Sequence, residues 1–210
     1  MADTRNLKAL DLFCGSGGAS MGMHRAGFDV TGVDINPQPR YPFRFVQADA
    51  LTYPLEGFDF IWASPPCQRY SVVTPKKHRV LHPDLIYLVR NRVWGPCVIE
   101  NVMGARKHFF PDAFMLCGSM FGLRTRRHRL FECIGFECSP PCKCDHSKKP
   151  LLVTTAGANS RAIGNFKSVN NAPLAYGINW MDGKGLKEAI PPAYSEYIAR
   201  QFLAGVTDAK

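Results

Sequence analysis

Residues 8–34 read KALDLFCGSGGASMGMHRAGFDVTGVD, and this stretch decides the fold. KALDLF (8–13) is an apolar run that predicts a buried strand carrying one acidic residue, Asp11. The glycine-rich turn Cys14 to Gly18 follows. ASMGMHRA (19–26) predicts a helix stopped by Gly27, and residues 28–34 predict a second strand ending in Asp34. The chain repeats this scheme. Residues 43–48 lead to Asp49, and FDFIWA (58–63) breaks at Ser64-Pro65-Pro66. A helix is predicted over 84–94 and a short strand, CVIE, over 97–100. Strands alternating with helices predict a doubly wound, mostly parallel α/β sheet of Rossmann-like type. Such sheets bind ligands outside the carboxyl ends of their strands. Asp11, Asp34, Asp49, Cys67 and Glu100 all fall near those ends. Residues 129–134 predict one more strand. The tail Pro191 to Ala204 sets Tyr194, Ile198 and Phe202 at helical spacing, a packing helix.

The 210 residues suit one domain. No apolar run reaches membrane-spanning length, and MADTRNLKALDLF lacks the layout of a signal peptide, so a cytoplasmic protein with no membrane partner is expected. The formal net charge is +9, divided as +2 over residues 1–105 and +7 over residues 106–210. A basic half suits a polyanion such as nucleic acid, or it is simply a solvated cationic surface. In a cytosolic setting the eight cysteines point to thiols, catalysis or metal rather than disulfides.

Gly15, Gly17 and Gly18 let backbone approach a ligand at a helix N-terminus. A tight structural turn would use the same residues, as would a dinucleotide site. Asp34 lies about 20 residues on, where a carboxylate can bind ribose hydroxyls, and Asp49 stands where an adenine amine can be read. Both aspartates can also be capping groups. In SPPCQRYS (64–71) two prolines fix the backbone and set Cys67 at the mouth of the cleft. A thiol there suits a target atom that must first be activated by covalent addition, such as carbon 5 of a pyrimidine. Glu100, in VIENV, can bind the amino group and ring nitrogen of a flipped cytosine, or be a paired structural acid. In RTRRHRLF, Arg127 and Arg129 share a face if the run is a strand. One can reach a base carbonyl and the other a phosphate, or both can line a solvated edge.

In order and rough spacing these motifs resemble the cytosine-C5 DNA methyltransferase family, in a compact form like those that bacteriophages encode. The tail AIPPAYSEYIARQF is similar to that family's last motif. The resemblance covers the chain outside about 130–175. It implies a methyl group passed from S-adenosylmethionine to carbon 5 of cytosine in DNA, expected to be double-stranded, by a protein for which a monomer is the expectation. It makes Cys67 the nucleophile, Glu100 the cytosine-binding acid, and Arg127 and Arg129 the paired arginines, with Arg129 nearer the base. It places the cofactor against Asp11, Phe13, Gly15, Gly17, Gly18, Asp34, Ile35, Asp49, Ala50 and Pro65. An RNA cytosine-C5 methyltransferase, or an inactive nucleic-acid-binding module of the same fold, is the alternative.

The departures are specific. Thr125 stands where the family usually has Gln, and Lys187-Glu188 where it has Gly-Asn. The expected division is a catalytic core at 1–132, a small Cys-rich target-recognition insert at 133–172, and a segment at 173–210 that returns to the core. Asn159, Asn165 and Asn170 are candidates for reading a short DNA context. The insert is expected to be a reduced, metal-free loop, with zinc held by Cys138, Cys142, Cys144 and His146 as the alternative and Cys133 as a further candidate ligand.

Overall fold

A computed structural model describes residues 7–150 and 172–208. Seven strands form one sheet: β1 (Lys8–Leu12), β2 (Asp29–Asp34), β3 (Arg44–Gln47), β4 (Phe60–Ala63), β5 (Cys97–Asn101), β6 (Phe114–Leu116) and β7 (Arg129–Ile134). Their order across the sheet is β3-β2-β1-β4-β5-β7-β6. The pairs among β1 to β5 are parallel, and β7 runs antiparallel to both β5 and β6. This is the doubly wound, mostly parallel Rossmann-like sheet that the sequence predicts. The chain winds outward from β1 to β3 and then crosses back to β4, so the crevice opens between the carboxyl ends of β1 and β4.

Period-2 alternation sorts the strand residues onto two cores. Leu10, Leu12, Ile61, Ala63, Cys97 and Ile99 face one side, where α3 (Leu85–Arg90) contributes Ile86 and Val89. Ala9, Val30, Phe60, Trp62, Val98 and Phe131 face the other, under α1 (Gly18–Ala26) and the long C-terminal helix. Burial on both faces explains why β1, β4 and β5 read as near-continuous apolar runs. Four more α-helices, α2 (Lys76–Arg79), α4 (Ala172–Tyr176), α5 (Gly183–Glu188) and α6 (Pro192–Asp208), and two 3-10 helices, Met103–His108 and Gly118–Phe121, complete the described residues.

α6 closes the molecule against α1, and two glycines allow it. A Cβ on Gly18 would stand 2.3 Å from the Ile190 carbonyl oxygen, and one on Gly22 would collide with the Pro192 carbonyl oxygen and Ser195 Oγ. The Ser195 hydroxyl donates to the Ala19 carbonyl at 2.8 Å. The last motif thus seats directly on the helix that follows the glycine turn.

Three details differ from the sequence reading. The helix expected over 84–94 spans only Leu85–Arg90, and the Arg92 guanidinium beyond it donates to the carbonyls of Ala50 and Tyr53. β6 was not foreseen, being only three residues long. The cysteines do not group as the sequence suggested. Cys138 sits against Cys133 and Cys142 is exposed, whereas Cys144 and His146 lie with Cys117 and His128. No helix among the described residues is long and apolar enough to cross a membrane. Asn159, Asn165 and Asn170 lie outside the described residues.

Candidate active site

The turn after β1 is built from positive φ. Phe13 adopts φ 59°, the single non-glycine case among the described residues, and Gly15 follows at φ 49°. Nothing lies within 4 Å of where a Gly15 Cβ would point, so this part of the turn faces open space. Gly17 and Gly18 have other work: Gly17 ends the turn at φ 83° beneath Tyr41 and Pro42, and Gly18 makes room for Ile190. Trp180 clamps the turn from the C-terminal segment, its indole N–H donating to the Ser16 carbonyl at 2.9 Å.

Asp34 is held by backbone. The Gly15 N–H donates to one carboxylate oxygen at 3.0 Å, and the Asn36 N–H to the other at 2.9 Å. Each oxygen keeps a lone pair for a further donor. Beside it Ile35 is 65% exposed, a bare apolar face at the rim of the crevice. Asp49 is exposed and accepts the Leu51 N–H at 2.9 Å, while Ala50 is buried behind it. Asp11 differs from the others. It lies fully buried beneath the turn, where one carboxylate oxygen takes the Ser20 hydroxyl and the other has no partner among the described residues. Burial pushes its carboxyl up to about 7. Asp11 therefore supports the turn from below and does not line the crevice wall.

Cys67 opens the turn after β4. Its carbonyl accepts the N–H groups of Tyr70 at 2.9 Å and Ser71 at 2.8 Å. Pro65, two residues earlier, is buried and its carbonyl accepts Asn101 Nδ2 at 2.8 Å. Asn101 in turn takes the Val102 N–H at 2.9 Å, so the end of β5 fixes the end of β4. Tyr70 anchors the far side of the turn by donating to Asp84 at 2.8 Å and accepting the Ile86 N–H at 3.0 Å.

Glu100 is buried at the end of β5, and its Oε1 stands 3.1 Å from Arg129 Nε, at the start of β7. Burial raises the Glu100 carboxyl above its ordinary range against the opposing pull of Arg129, the Ser64 hydroxyl and Arg127. Burial and the neighbouring Arg127 bring Arg129 down to about 10, still charged at neutral pH. The Cys67 thiol is raised by burial first; Arg129 and Arg127 pull it down and Glu100 pushes it up. The structure thus brings Cys67, Glu100 and Arg129 into one electrostatic unit.

Arg127 is placed differently from the sequence reading. It precedes β7, so strand alternation does not govern it, and it is only 6% exposed. Its Nη2 donates to the Lys187 carbonyl at 2.7 Å, and its guanidinium carbon lies 5.8 Å from the Tyr176 ring centre. That side chain holds the C-terminal segment at Lys187 and Tyr176. The contact also bears on the Lys187-Glu188 departure: Arg127 uses the Lys187 backbone, whatever side chain stands there. Thr125 is buried, and its hydroxyl has no hydrogen-bond partner among the described residues. Sequence reasoning missed Asn101, although it directly follows Glu100, and it missed Trp180, which no local pattern ties to Ser16.

A family model described as C-5 cytosine-specific DNA methylase matches residues 7–115. No curated protein matches the chain. Among solved structures, the chain is similar to a protein described as a DNA modification methyltransferase encoded within a prophage of E. coli. Identity is 26% and the TM-score 0.45, covering 60% of this chain and 45% of that one. It is also similar to Spodoptera frugiperda DNMT2, at 20% identity and TM-score 0.45, covering 67% and 53% of the two chains. The Entamoeba histolytica methyltransferase EhMeth aligns at 17% identity and TM-score 0.48, covering 73% and 62%. The chain spans about half the length of these proteins.

Proposed function

The chain belongs to the C-5 cytosine-specific DNA methylase family, and from that premise we propose that it methylates carbon 5 of cytosine in duplex DNA, with Cys67 as the covalent nucleophile. The observation that carries this reading is the grouping of Cys67 with Glu100 and Arg129 at adjoining strand ends. A thiol, a buried acid and a half-buried guanidinium suit a neutral base that must be made electrophilic before it can be made nucleophilic.

The crevice beside β1 fits S-adenosylmethionine. Phe13 and Gly15 offer an open turn, Asp34 has a pre-oriented carboxylate for ribose hydroxyls, and Ile35 and Asp49 stand where an adenine would lie. When bound, that cofactor supplies an electrophilic methyl group. The protein's own residues do the rest. The Cys67 thiol gives up its proton to water, the resulting thiolate forms a bond to carbon 6 of the flipped cytosine, and the electron pair of the 5,6 double bond moves to carbon 5. Glu100, whose carboxyl burial raises above its ordinary range, shares a proton with ring nitrogen 3 as negative charge builds on the ring. Arg129 holds the ring carbonyl oxygen. Once carbon 5 carries the methyl group, water admitted to the crevice takes its remaining proton, the electron pair re-forms the 5,6 double bond, Cys67 leaves as thiolate, and the proton on nitrogen 3 returns to Glu100.

The test is incubation with methyl-labelled cofactor and duplex DNA, followed by nucleoside analysis. Label is expected in 5-methylcytosine. DNA containing 5-fluorocytosine should trap the wild-type protein covalently, because fluorine cannot leave carbon 5 as a proton does. Cys67→Ala should abolish both signals while cofactor binding stays within about threefold, since the thiol acts only in the chemical step. A Cys67→Ala protein that still methylates cytosine would overturn the mechanism.

A further inference from the structure

The β6–β7 hairpin carries a feature that the methyl-transfer site does not use. Leu116 pairs with Arg129 in an antiparallel register. Continuing that register by one residue sets Cys117 opposite His128. The 135–150 insert then folds back across the same edge. There Cys117 Sγ lies 3.4 Å from His146 Nε2, and His128 Nε2 lies 3.3 Å from the same His146 nitrogen. Cys144 completes the group, and the four ligand atoms all lie within 4.8 Å of one another.

These separations can be compared with a metal's requirements. Zinc bonds of about 2.0–2.1 Å to nitrogen and about 2.3 Å to sulfur at tetrahedral angles give N···N near ~3.3 Å, S···N near ~3.5 Å and S···S near ~3.8 Å. The observed N···N and S···N distances already match the first two. The widest pairs need to close by only about 1 Å, within reach of side-chain rotation. A chain of hydrogen bonds explains single close pairs but lets its ends spread apart. Here all four atoms close into one polyhedron. We infer that Cys117, His128, Cys144 and His146 form a tetrahedral zinc site that fastens the insert to the edge of the catalytic sheet.

The chemistry of the donors agrees. Two thiolates and two imidazoles select zinc over magnesium or calcium. On binding, the two thiols release their protons to solvent, and the two thiolates neutralise the dication. Surrounding groups orient the ligands, as metal sites require. The Ser119 hydroxyl stands 3.3 Å from Cys117 Sγ and accepts the Asp145 N–H at 3.1 Å, while Arg126 donates to the His146 carbonyl at 2.8 Å. The protein supplies all four positions, so the site is closed and structural. It also meets a need. Residues 135–150 hold no helix or strand, and only Phe136 and Cys138 among them pack on the core. His128 is next to Arg129, so the metal fixes the same strand start that faces Glu100.

The experiment uses the full chain purified without chelator, with metal content read by mass spectrometry. About one zinc per chain is expected, unchanged in Cys138→Ser and Cys142→Ser and lost in Cys144→Ser and His146→Asn. Cobalt(II) added to wild-type protein stripped of metal should give tetrahedral visible bands and a thiolate-to-cobalt charge-transfer band, which does not depend on any variant folding. A wild-type chain that takes up neither ion stoichiometrically overturns the inference. So does equal loss of metal in Cys142→Ser and Cys144→Ser, which would move the ligands into the insert alone.

Discussion

Asn101 offers a sharp test of how the nucleophile is positioned. Its side chain is buried and spans two strand ends, donating to the Pro65 carbonyl at 2.8 Å and accepting the Val102 N–H at 2.9 Å. Asn101→Ala leaves both groups without a side-chain partner. Pro65 is buried, so its carbonyl bears a full desolvation penalty of about 1–3 kcal/mol. Val102 is only partly buried, and water recovers some of its loss. Together the change should cost about 2–4 kcal/mol, which at about 2–4 °C per kcal/mol for a chain of this size lowers the melting midpoint by roughly 4–16 °C. The catalytic effect should exceed what stability alone explains. Freed at Pro65, the Pro-Pro-Cys segment drifts, and a displacement near 1 Å costs about 100-fold in rate. Single-turnover methylation at saturating DNA and cofactor, well below the melting midpoint, reads the chemical step. Asn101→Asp keeps an acceptor for Val102 but turns a carboxylate oxygen toward the Pro65 carbonyl, so it should be as slow as the alanine variant. A destabilised Asn101→Ala protein with wild-type single-turnover rate would refute the positioning argument.

Other outcomes follow from the same geometry. Glu132 is buried and takes both Arg90 Nε at 2.7 Å and Arg90 Nη2 at 2.8 Å, with the Phe110 N–H at 2.9 Å; Glu132→Ala strands that guanidinium and should cost about 3–5 kcal/mol by denaturant unfolding. Burial pushes the Cys67 thiol above its ordinary range, so its alkylation rate should keep rising as pH is raised from 7 to 9; a plateau below pH 8 would count against a raised thiol, and Arg129→Ala should slow the reaction further at pH 8. Asp34→Ala should weaken S-adenosylmethionine binding by about 1.5–3 kcal/mol in calorimetry, because the carboxylate that would meet the ribose is lost along with its hold on the Gly15 N–H; unchanged affinity would mean the cofactor lies elsewhere.

Strand periodicity and punctuation made the parallel half of the fold legible. KALDL, FIWA and CVIEN are buried on both faces, which is why they read as apolar runs, and Gly27 and Pro65-Pro66 mark where their neighbours stop. The chemistry at the strand ends was legible for the same reason. Cys67 follows the end of β4 and Glu100 lies near the end of β5, and parallel pairing brings the two strand ends side by side. What escaped was whatever depends on pairings between distant segments. Asn101 reads as one more polar residue until β4 and β5 lie side by side. Glu132 reads as a strand-face acid until Arg90 arrives from α3, 42 residues earlier.

The cysteines show the same limit most clearly. In sequence, Cys138, Cys142, Cys144 and His146 form the obvious group, because proximity along the chain is all that spacing records. In space the grouping is set by an antiparallel hairpin whose first strand has three residues, too short for any periodicity to register. That hairpin places Cys117 opposite His128 and forms an edge, and the insert supplies only the two residues that reach it. Cys142 points away into solvent, and Cys138 turns back to Cys133 on β7. A local cluster of ligand-type residues is thus weak grounds for a site when its segment must fold over a sheet edge. The strand register is the stronger guide. By that guide the insert's anchor adjoins the arginine that faces Glu100, so the small insert and the catalytic acid share one structural support.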